Sequence, residues 1–255
     1  MKTLIRNVRL CDPNGKPVSI VVEDGVIREI GHVGPWAGLE FDGHGLTAIP
    51  GLVDVHVHFR EPGFEYKETV ATGSKAAAAG GFTTVCTMPN LKPAPDSMPN
   101  LRRQLDAIDR SAGIEVLPYA TITRGRIGKE PVDYPELAPY VCAFSDDGSG
   151  IESEDVMRRA MKGIARTGKV LAEHCEVMEL VRGGCIHDGD YAREHGLPGI
   201  CSESEWREVE RNIRLAEETG CRLHICHVST KESVRLIRDA KARGVDVTAE
   251  TGAHY

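Results

Sequence analysis

Pro50-Gly51-Leu52-Val53-Asp54-Val55-His56-Val57-His58-Phe59-Arg60 is the stretch whose reading decides the fold. The apolar run reads as a buried strand, and side chains alternate across a strand, so His56 and His58 project from one face. A single histidine on an apolar face is ordinarily a satisfied core residue. Two of them, two residues apart at the C-terminal end of the run and followed at once by Arg60, read instead as a pair of metal-type ligands.

Beyond residue 51, short apolar strands alternate with helical stretches, the pattern of βα units and a parallel sheet. Strands are expected at 52–59, 82–88, 114–121, 141–145, 169–174, 221–228 and 245–250. Helices are expected near 67–79, 98–111, 153–167, 202–219 and 230–243, with weaker helical turns around 134–139 and 176–182. Ser202-Glu203-Ser204-Glu205 offers a capped helix start. Residues 183–201, Gly-rich and carrying His187 and His195, read as a long loop on the helix side of the fifth strand.

Residues 1–49 differ. They alternate short apolar segments with turns such as Asp12-Pro13-Asn14-Gly15 and Glu23-Asp24-Gly25, a small β module with no catalytic group assigned to it. His32 and His44 lie in Gly-rich turns and read as solvated. The fold class that follows is α/β, with seven strands of a TIM-type (β/α)8 barrel in residues 50–255 behind an N-terminal β module in residues 1–49. A parallel sheet ending at the strand 245–250 would leave an open edge and half-covered apolar faces. The chain is therefore expected to be incomplete, lacking an eighth strand.

Composition narrows the function classes. The 255 residues are 41% hydrophobic and 27% charged, ordinary for a globular chain, so disorder is excluded. Thirty-one basic against 38 acidic residues give a formal charge of -7, which offers no footprint for nucleic acid or an anionic membrane surface. A small-molecule partner is the default. No apolar run is long enough to span a bilayer, and Met1-Lys2-Thr3-Leu4-Ile5-Arg6 lacks a signal-peptide core, so a cytoplasmic protein is expected. The eight cysteines form no C-x-x-C motif and read as reduced thiols. Cys86, Cys142, Cys175 and Cys226 fall in or beside apolar runs, where Cys packs as a small hydrophobe.

In such barrels the reactive groups project from the C-terminal strand ends. Those ends carry His56, His58 and Arg60; Met88-Pro89-Asn90; Ser145-Asp146-Asp147-Gly148; Glu173-His174-Cys175-Glu176; and His227-Val228-Ser229. Four histidines and an aspartate make a nitrogen and oxygen set that suits zinc, with one carboxylate able to bridge two ions. Two cations a few ångströms apart lower the pKa of a shared water and polarise the carbonyl it attacks, so no serine or cysteine nucleophile is required. His224 precedes His227 by three residues, which on a strand puts it on the opposite face, and it reads as structural. His254 sits in too short a context, Thr251-Gly252-Ala253-His254, for a role.

Asp54-Val55-His56-Val57-His58-Phe59-Arg60-Glu61-Pro62-Gly63, with Thr87-Met88-Pro89-Asn90, Ser145-Asp146-Asp147-Gly148, Glu173-His174-Cys175-Glu176 and Ile225-Cys226-His227-Val228-Ser229, resembles the bacterial type I dihydroorotases of the amidohydrolase superfamily. The resemblance runs from about residue 45 to the end, with five separated motifs in order. It implies reversible ring closure of N-carbamoyl-L-aspartate to L-dihydroorotate in pyrimidine synthesis. It also implies two zinc ions per subunit, His56 and His58 holding one and His174 and His227 the other. Asp147 would bridge them. Its neighbour Asp146 competes for that role, and the 27-residue interval to His174 favours Asp147. His58, Arg60 and Asn90 would contact substrate, the guanidinium offering two parallel donors to a carboxylate. The family's general acid and base, an aspartate ending the eighth strand, is expected beyond Tyr255, and the polypeptide as given is expected to be weakly active or inactive.

Other readings stand beside these. Arg60 can pair with Glu61 or Glu65 at the surface, and Asn90 after Pro89 can be a turn residue. Hydantoinases, dihydropyrimidinases and allantoinases usually bridge their metals with a carboxylated lysine on strand four, whereas Phe144-Ser145-Asp146-Asp147 holds none. A non-catalytic subunit supporting an aspartate transcarbamoylase would have lost ligand histidines, and all four stand here. The resemblance leaves open a homodimer and association with an aspartate transcarbamoylase.

Overall fold

The computed structural model describes residues 1–253, and the chain divides into two compact units, Met1–Leu52 and Val53–Tyr255. His254 lies outside the described residues. The first unit holds β1 (Lys2–Leu10), β2 (Val18–Glu23), β3 (Val26–Gly31), β4 (Leu39–Asp42) and β5 (Thr47–Ala48). Their order is β3-β2-β1-β4, with β5 on β1. β1 pairs antiparallel with β2, in keeping with its alternating burial, and parallel with β4.

The second unit begins one residue into β6 (Leu52–Val57), followed by α1 (Val70–Ala79), β7 (Phe82–Thr87), α2 (Met98–Ser111), β8 (Glu115–Ala120), the single turn α3 (Tyr134–Leu137), β9 (Ala143–Ser145) and α4 (Glu154–Ala165). After β10 (Val170–Glu173) come α5 (Met178–Val181), β11 (Ile186–His187), α6 (Asp190–Glu194), β12 (Gly199–Ile200), α7 (Glu203–Thr219), β13 (Arg222–Ile225), α8 (Lys231–Ala242) and β14 (Val247–Ala249). Seven strands form one sheet in the order β14-β13-β10-β9-β8-β7-β6, with parallel pairing from β7 to β14. This is the expected run of barrel strands.

Alternation along these strands sorts the core into two layers. Phe144, Leu171, Leu223, Ile225 and Val247 point outward into a cluster with Met157, Ile164, Val209, Ile213 and Ile237 from the helices. Cys86, Tyr119, Ala143, Ala172 and Cys226 form a second cluster on the other face. Small residues there leave room for a curled sheet. Curling is evident at the strand ends, because His56 after the middle of β6 touches Glu250 just past β14, the opposite end of the strand order.

Helix starts follow their local chemistry. Ser153 caps α4 by accepting from Val156 N, with Glu154 and Asp155 in the first turn, and Thr230 caps α8 by accepting from Ser233 N. α1 packs closely under the strand that carries the histidines: a Cβ on Gly73 would fall 2.3 Å from the Phe59 ring, so only glycine fits there.

Two local expectations are corrected. Ser202 makes no side-chain cap on α7, because its own backbone is already helical (φ -56, ψ -25), and Glu205 turns away to bind the loop after β13. Residues 183–201 are not a plain loop on the helix side. They fold into the small parallel pair β11–β12 around α6, and Ile186, His187, Ile200 and Cys201 line a cavity that also contains His174 and His227. All eight cysteines are free, Cys86, Cys175, Cys221 and Cys226 being buried. Among the described residues no helix is long and apolar enough to cross a membrane.

Candidate metal and substrate site

Asp147 is the centre of the site. It follows β9, which ends at Ser145, and its backbone N–H donates to Ser145 Oγ at 3.0 Å. Around its carboxylate, Oδ1 lies 3.6 Å from His56 Nε2, 3.7 Å from His227 Nε2 and 3.9 Å from His174 Nδ1. Oδ2 lies 3.8 Å from His58 Nε2 and accepts from Asn90 Nδ2 at 2.8 Å. Three strand ends, those of β6, β10 and β13, thus deliver the four histidines named from the sequence to one buried carboxylate at the end of a fourth, β9.

Alternation separates the two neighbouring aspartates. Asp146 points the other way, where its Oδ1 accepts from Ile122 N at 2.8 Å and Thr123 N at 3.1 Å and its Oδ2 binds the Thr123 hydroxyl. Burial raises its pKa to about 6 against those hydrogen bonds. Asp147 is also buried, which acts to raise its pKa, yet hydrogen bonds from His227 and Asn90 and the charge of His56 and His58 hold it well below the usual carboxylate range.

The histidines differ in state. Burial lowers the pKa of His58 to about 4, partly opposed by Asp147, so its ring is neutral at physiological pH and one of its nitrogens carries a lone pair for a ligand bond. His58 Nδ1 is buried with no hydrogen-bond partner among the described residues. His227 is also desolvated, but Asp147 and Glu250 raise its pKa overall. His174 Nδ1 lies 3.0 Å from His227 Nε2, and His174 Nε2 lies 3.4 Å from Glu176.

The donor set fits a cation. His56, Asp147 and His227 offer three ligand atoms within 4.8 Å of one another. Two nitrogens on one zinc at tetrahedral angles are roughly 3.3 Å apart, close to the separation of His174 and His227. The His58 ring sets its Nε2 3.8 Å from the same carboxylate, while its Nδ1 is buried without a partner among the described residues.

The substrate-side candidates lie next to this group. Asn90, after β7, gives its amide to both the carbonyl (2.7 Å) and the carboxylate of Asp147, so it braces the aspartate as well as facing the site. It is more than a turn residue. Arg60 Nη1 lies 3.5 Å from the Asn90 carbonyl. Glu61 instead pairs with Arg110 at 2.8 Å, and Glu65 accepts from Gly63 N, so Arg60 has no carboxylate partner among the described residues.

Three participants escaped the sequence reading. Arg126, in the turn after β8, has a left-handed backbone (φ 59) and donates through Nη1 to the Asp147 carbonyl that Asn90 also uses. It too lacks a carboxylate partner among the described residues. Glu250 accepts from His56 Nδ1 at 2.5 Å. His224, expected on the opposite face from His227, instead lies with its Nε2 3.3 Å from Glu250 Oε2, the same carboxylate whose Oε1 accepts from His227 N at 3.3 Å. The parity argument fails because β13 ends at Ile225 and His227 turns to φ 35.

Beyond His174 and His227 a cavity of about 590 Å³ extends to Ser229, Thr230 and the β11–β12 flap. Such a volume accommodates a small metabolite.

Comparison with known proteins places the chain. A family model described as dihydro-orotase-like matches residues 45–233. The dihydroorotase of Bacillus licheniformis is 47% identical over 259 residues, covering 100% of this chain and 60% of that protein. That of Staphylococcus aureus (strain MRSA252) is 46% identical over 257 residues, covering 99% and 60%. The chain thus spans about 60% of the length of these curated relatives. Among solved structures, the L-hydantoinase (dihydropyrimidinase) of Arthrobacter aurescens superposes with a TM-score of 0.81 at 24% identity, over 99% of this chain and 58% of its own. The D-hydantoinase (dihydropyrimidinase) of Thermus sp. gives 0.78 at 22%, over 98% and 57%. At these identities the likeness speaks for the fold alone, and it agrees with the expected α/β barrel.

Proposed function

The chain belongs to the dihydro-orotase-like family, and from that premise we propose that the protein is a zinc-dependent dihydroorotase interconverting N-carbamoyl-L-aspartate and L-dihydroorotate. The observation that carries the reading is the convergence of His56, His58, His174 and His227 on Asp147, beside a guanidinium with no carboxylate partner among the described residues.

His56 and His58 would hold one zinc ion, His174 and His227 the second, and Asp147 both. A bound zinc pair supplies an activated water and polarises the carbonyl under attack. The protein's own residues prepare that site. Burial keeps His58 neutral, so its lone pair is available at physiological pH. Asn90 fixes Asp147 by two hydrogen bonds, so the carboxylate does not have to reorganise during turnover. Arg60 then presents parallel N–H donors to a substrate carboxylate, with Asn90 and His58 beside it. The cavity past His174 and His227 gives the open-chain substrate room to approach its cyclising geometry.

The division after Leu52 supports reading residues 1–49 as the N-terminal part of a small β-sandwich module and 50–255 as the barrel. Eight free cysteines suit a reducing compartment and hence the cytoplasm. A homodimer and an aspartate transcarbamoylase partner belong to the same reading, as carried by the resemblance.

The deciding experiment is an assay of the intact protein, loaded with zinc, on N-carbamoyl-L-aspartate, L-dihydroorotate, hydantoin and allantoin. Turnover of the first two is expected. Turnover confined to hydantoin or allantoin would replace the reading with a different cyclic amidase, and a zinc-free, inactive protein would favour a scaffold subunit.

A further inference from the structure

We propose that Glu250, just past β14, is a positioning residue that holds the His56 ring with its proton on Nδ1 and its Nε2 lone pair turned toward Asp147. The inference rests on the metal-site reading above and deepens it, because Glu250 is not among the ligands that reading names.

The geometry is specific. Glu250 Oε1 lies 2.5 Å from His56 Nδ1 and also accepts from the His227 backbone N–H at 3.3 Å. Its Oε2 lies 3.3 Å from His224 Nε2, and His224 Nδ1 is in turn 2.8 Å from Thr248 Oγ1. An ionised carboxylate can only accept, so the nitrogen facing it must carry the proton, and a neutral imidazole then keeps its lone pair on the other nitrogen. That other nitrogen is Nε2, 3.6 Å from Asp147. The opposite tautomer would set a lone pair 2.5 Å from the Glu250 carboxylate, a far closer approach than the 3.6 Å between Nε2 and Asp147, and would aim an N–H at the ligand cluster.

One carboxylate therefore steadies two candidate ligands carried by different strands. Oε1 fixes the ring of His56 at the end of β6, and the same oxygen fixes the backbone of His227 after β13. Glu250 is not itself placed as a ligand together with His56, although His56, Cys226 and Glu250 also lie within 4.8 Å of one another. Two donors sharing a zinc ion stand roughly 3.3 Å apart, and the Nδ1 to Oε1 contact is too short to admit one. Outer-shell carboxylates on metal-ligating histidines act in this way, fixing the tautomer and raising ligand basicity.

The test compares the intact wild-type protein with E250Q, using zinc alone as the probe. By chelator competition, E250Q is expected to bind zinc about 10- to 100-fold more weakly, with the same stoichiometry at saturation and an unchanged thermal midpoint of the metal-free protein. Nitrogen-15 histidine spectra of the metal-free protein, taken at a pH where His56 is neutral, are expected to show the Nδ1–H tautomer for His56 in the wild type and its loss in E250Q. Equal affinity with an unchanged tautomer overturns the proposal, as does loss of a whole zinc equivalent at saturation, which would make Glu250 a ligand. If E250Q does not fold, an Nε2–H tautomer in the wild type alone overturns it. A wild type that takes up no zinc removes the metal-site reading and this proposal together, a result distinct from a zinc-binding wild type that E250Q matches.

Discussion

His174 Nδ1 and His227 Nε2 stand 3.0 Å apart, although they come from separate strands, β10 and β13. Two imidazole nitrogens at that distance share either a proton or a cation, since two bare lone pairs would repel. His174→Ala in the intact protein is expected to lose at least one metal equivalent, and His56→Ala likewise. Elemental analysis after dialysis checks this, and unchanged zinc would remove both residues from the ligand set.

In the proposed function Arg60 would select a carboxylate-bearing substrate. Loss of a charged hydrogen-bonding pair costs about 1.5–3 kcal/mol, so Arg60→Met is expected to raise KM for N-carbamoyl-L-aspartate roughly 10- to 100-fold. Metal content should stay as in the wild type. An unaltered KM in steady-state kinetics would assign the carboxylate to another group.

Phe144 tests the packing that holds the strand ends in place. It is fully buried on β9 and meets Tyr134 edge to face, with centroids 5.0 Å apart. Phe144→Ala is expected to cost about 3–5 kcal/mol of stability, read from urea unfolding. Asp147 lies three residues on, so activity should fall as well, before global unfolding.

Glu205 ties α7 to the loop after β13, accepting from Ser229 Oγ at 2.5 Å, Thr230 Oγ1 at 2.8 Å and both backbone N–H groups. Burial acts to raise its pKa, but the hydrogen bonds from Ser229, Ser233 and Thr230 prevail and lower it. A carboxylate depressed on folding stabilises the protein above its unfolded pKa, about 4.3, and that stability is lost as pH falls through the folded value. Glu205→Gln should flatten this acid limb and cost about 1–3 kcal/mol at neutral pH, measured by unfolding of the metal-free protein at several pH values. An acid limb as steep as that of the wild type would dissociate Glu205 from it.

Much of this was legible in the sequence because strand ends concentrate the chemistry. Apolar runs bounded by turns marked all seven strands of the larger sheet, and His56, His58, His174 and His227 stand out because such residues are costly to bury without partners. The choice between Asp146 and Asp147 was not legible from alternation alone. Neighbours on a strand must face opposite ways, but which one faces inward depends on register, and the register appears only in three dimensions. His224 was misplaced for a related reason: a period of two holds only while the strand lasts, and His227 lies beyond it with a positive φ. Glu250 read as an ordinary polar residue ending a strand, since nothing local announces a partner 194 positions away. Arg126 belongs to a glycine-flanked turn with no periodicity to argue from.

Arg60 and Arg126 flank Asn90, each without a carboxylate partner among the described residues. In a protein of formal charge -7 they set two positive charges near the Asp147 carboxylate, at the place where the reaction would occur. An anionic metabolite would be repelled by the molecule at long range and drawn in near these two guanidiniums. The encounter rate therefore carries an ionic-strength signature. At low salt, where the Debye length grows beyond its physiological value of about 8 Å, the overall charge governs approach. At higher salt the distant acidic surface fades first while the two guanidiniums still act at contact, so moderate salt should speed capture of the substrate rather than slow it.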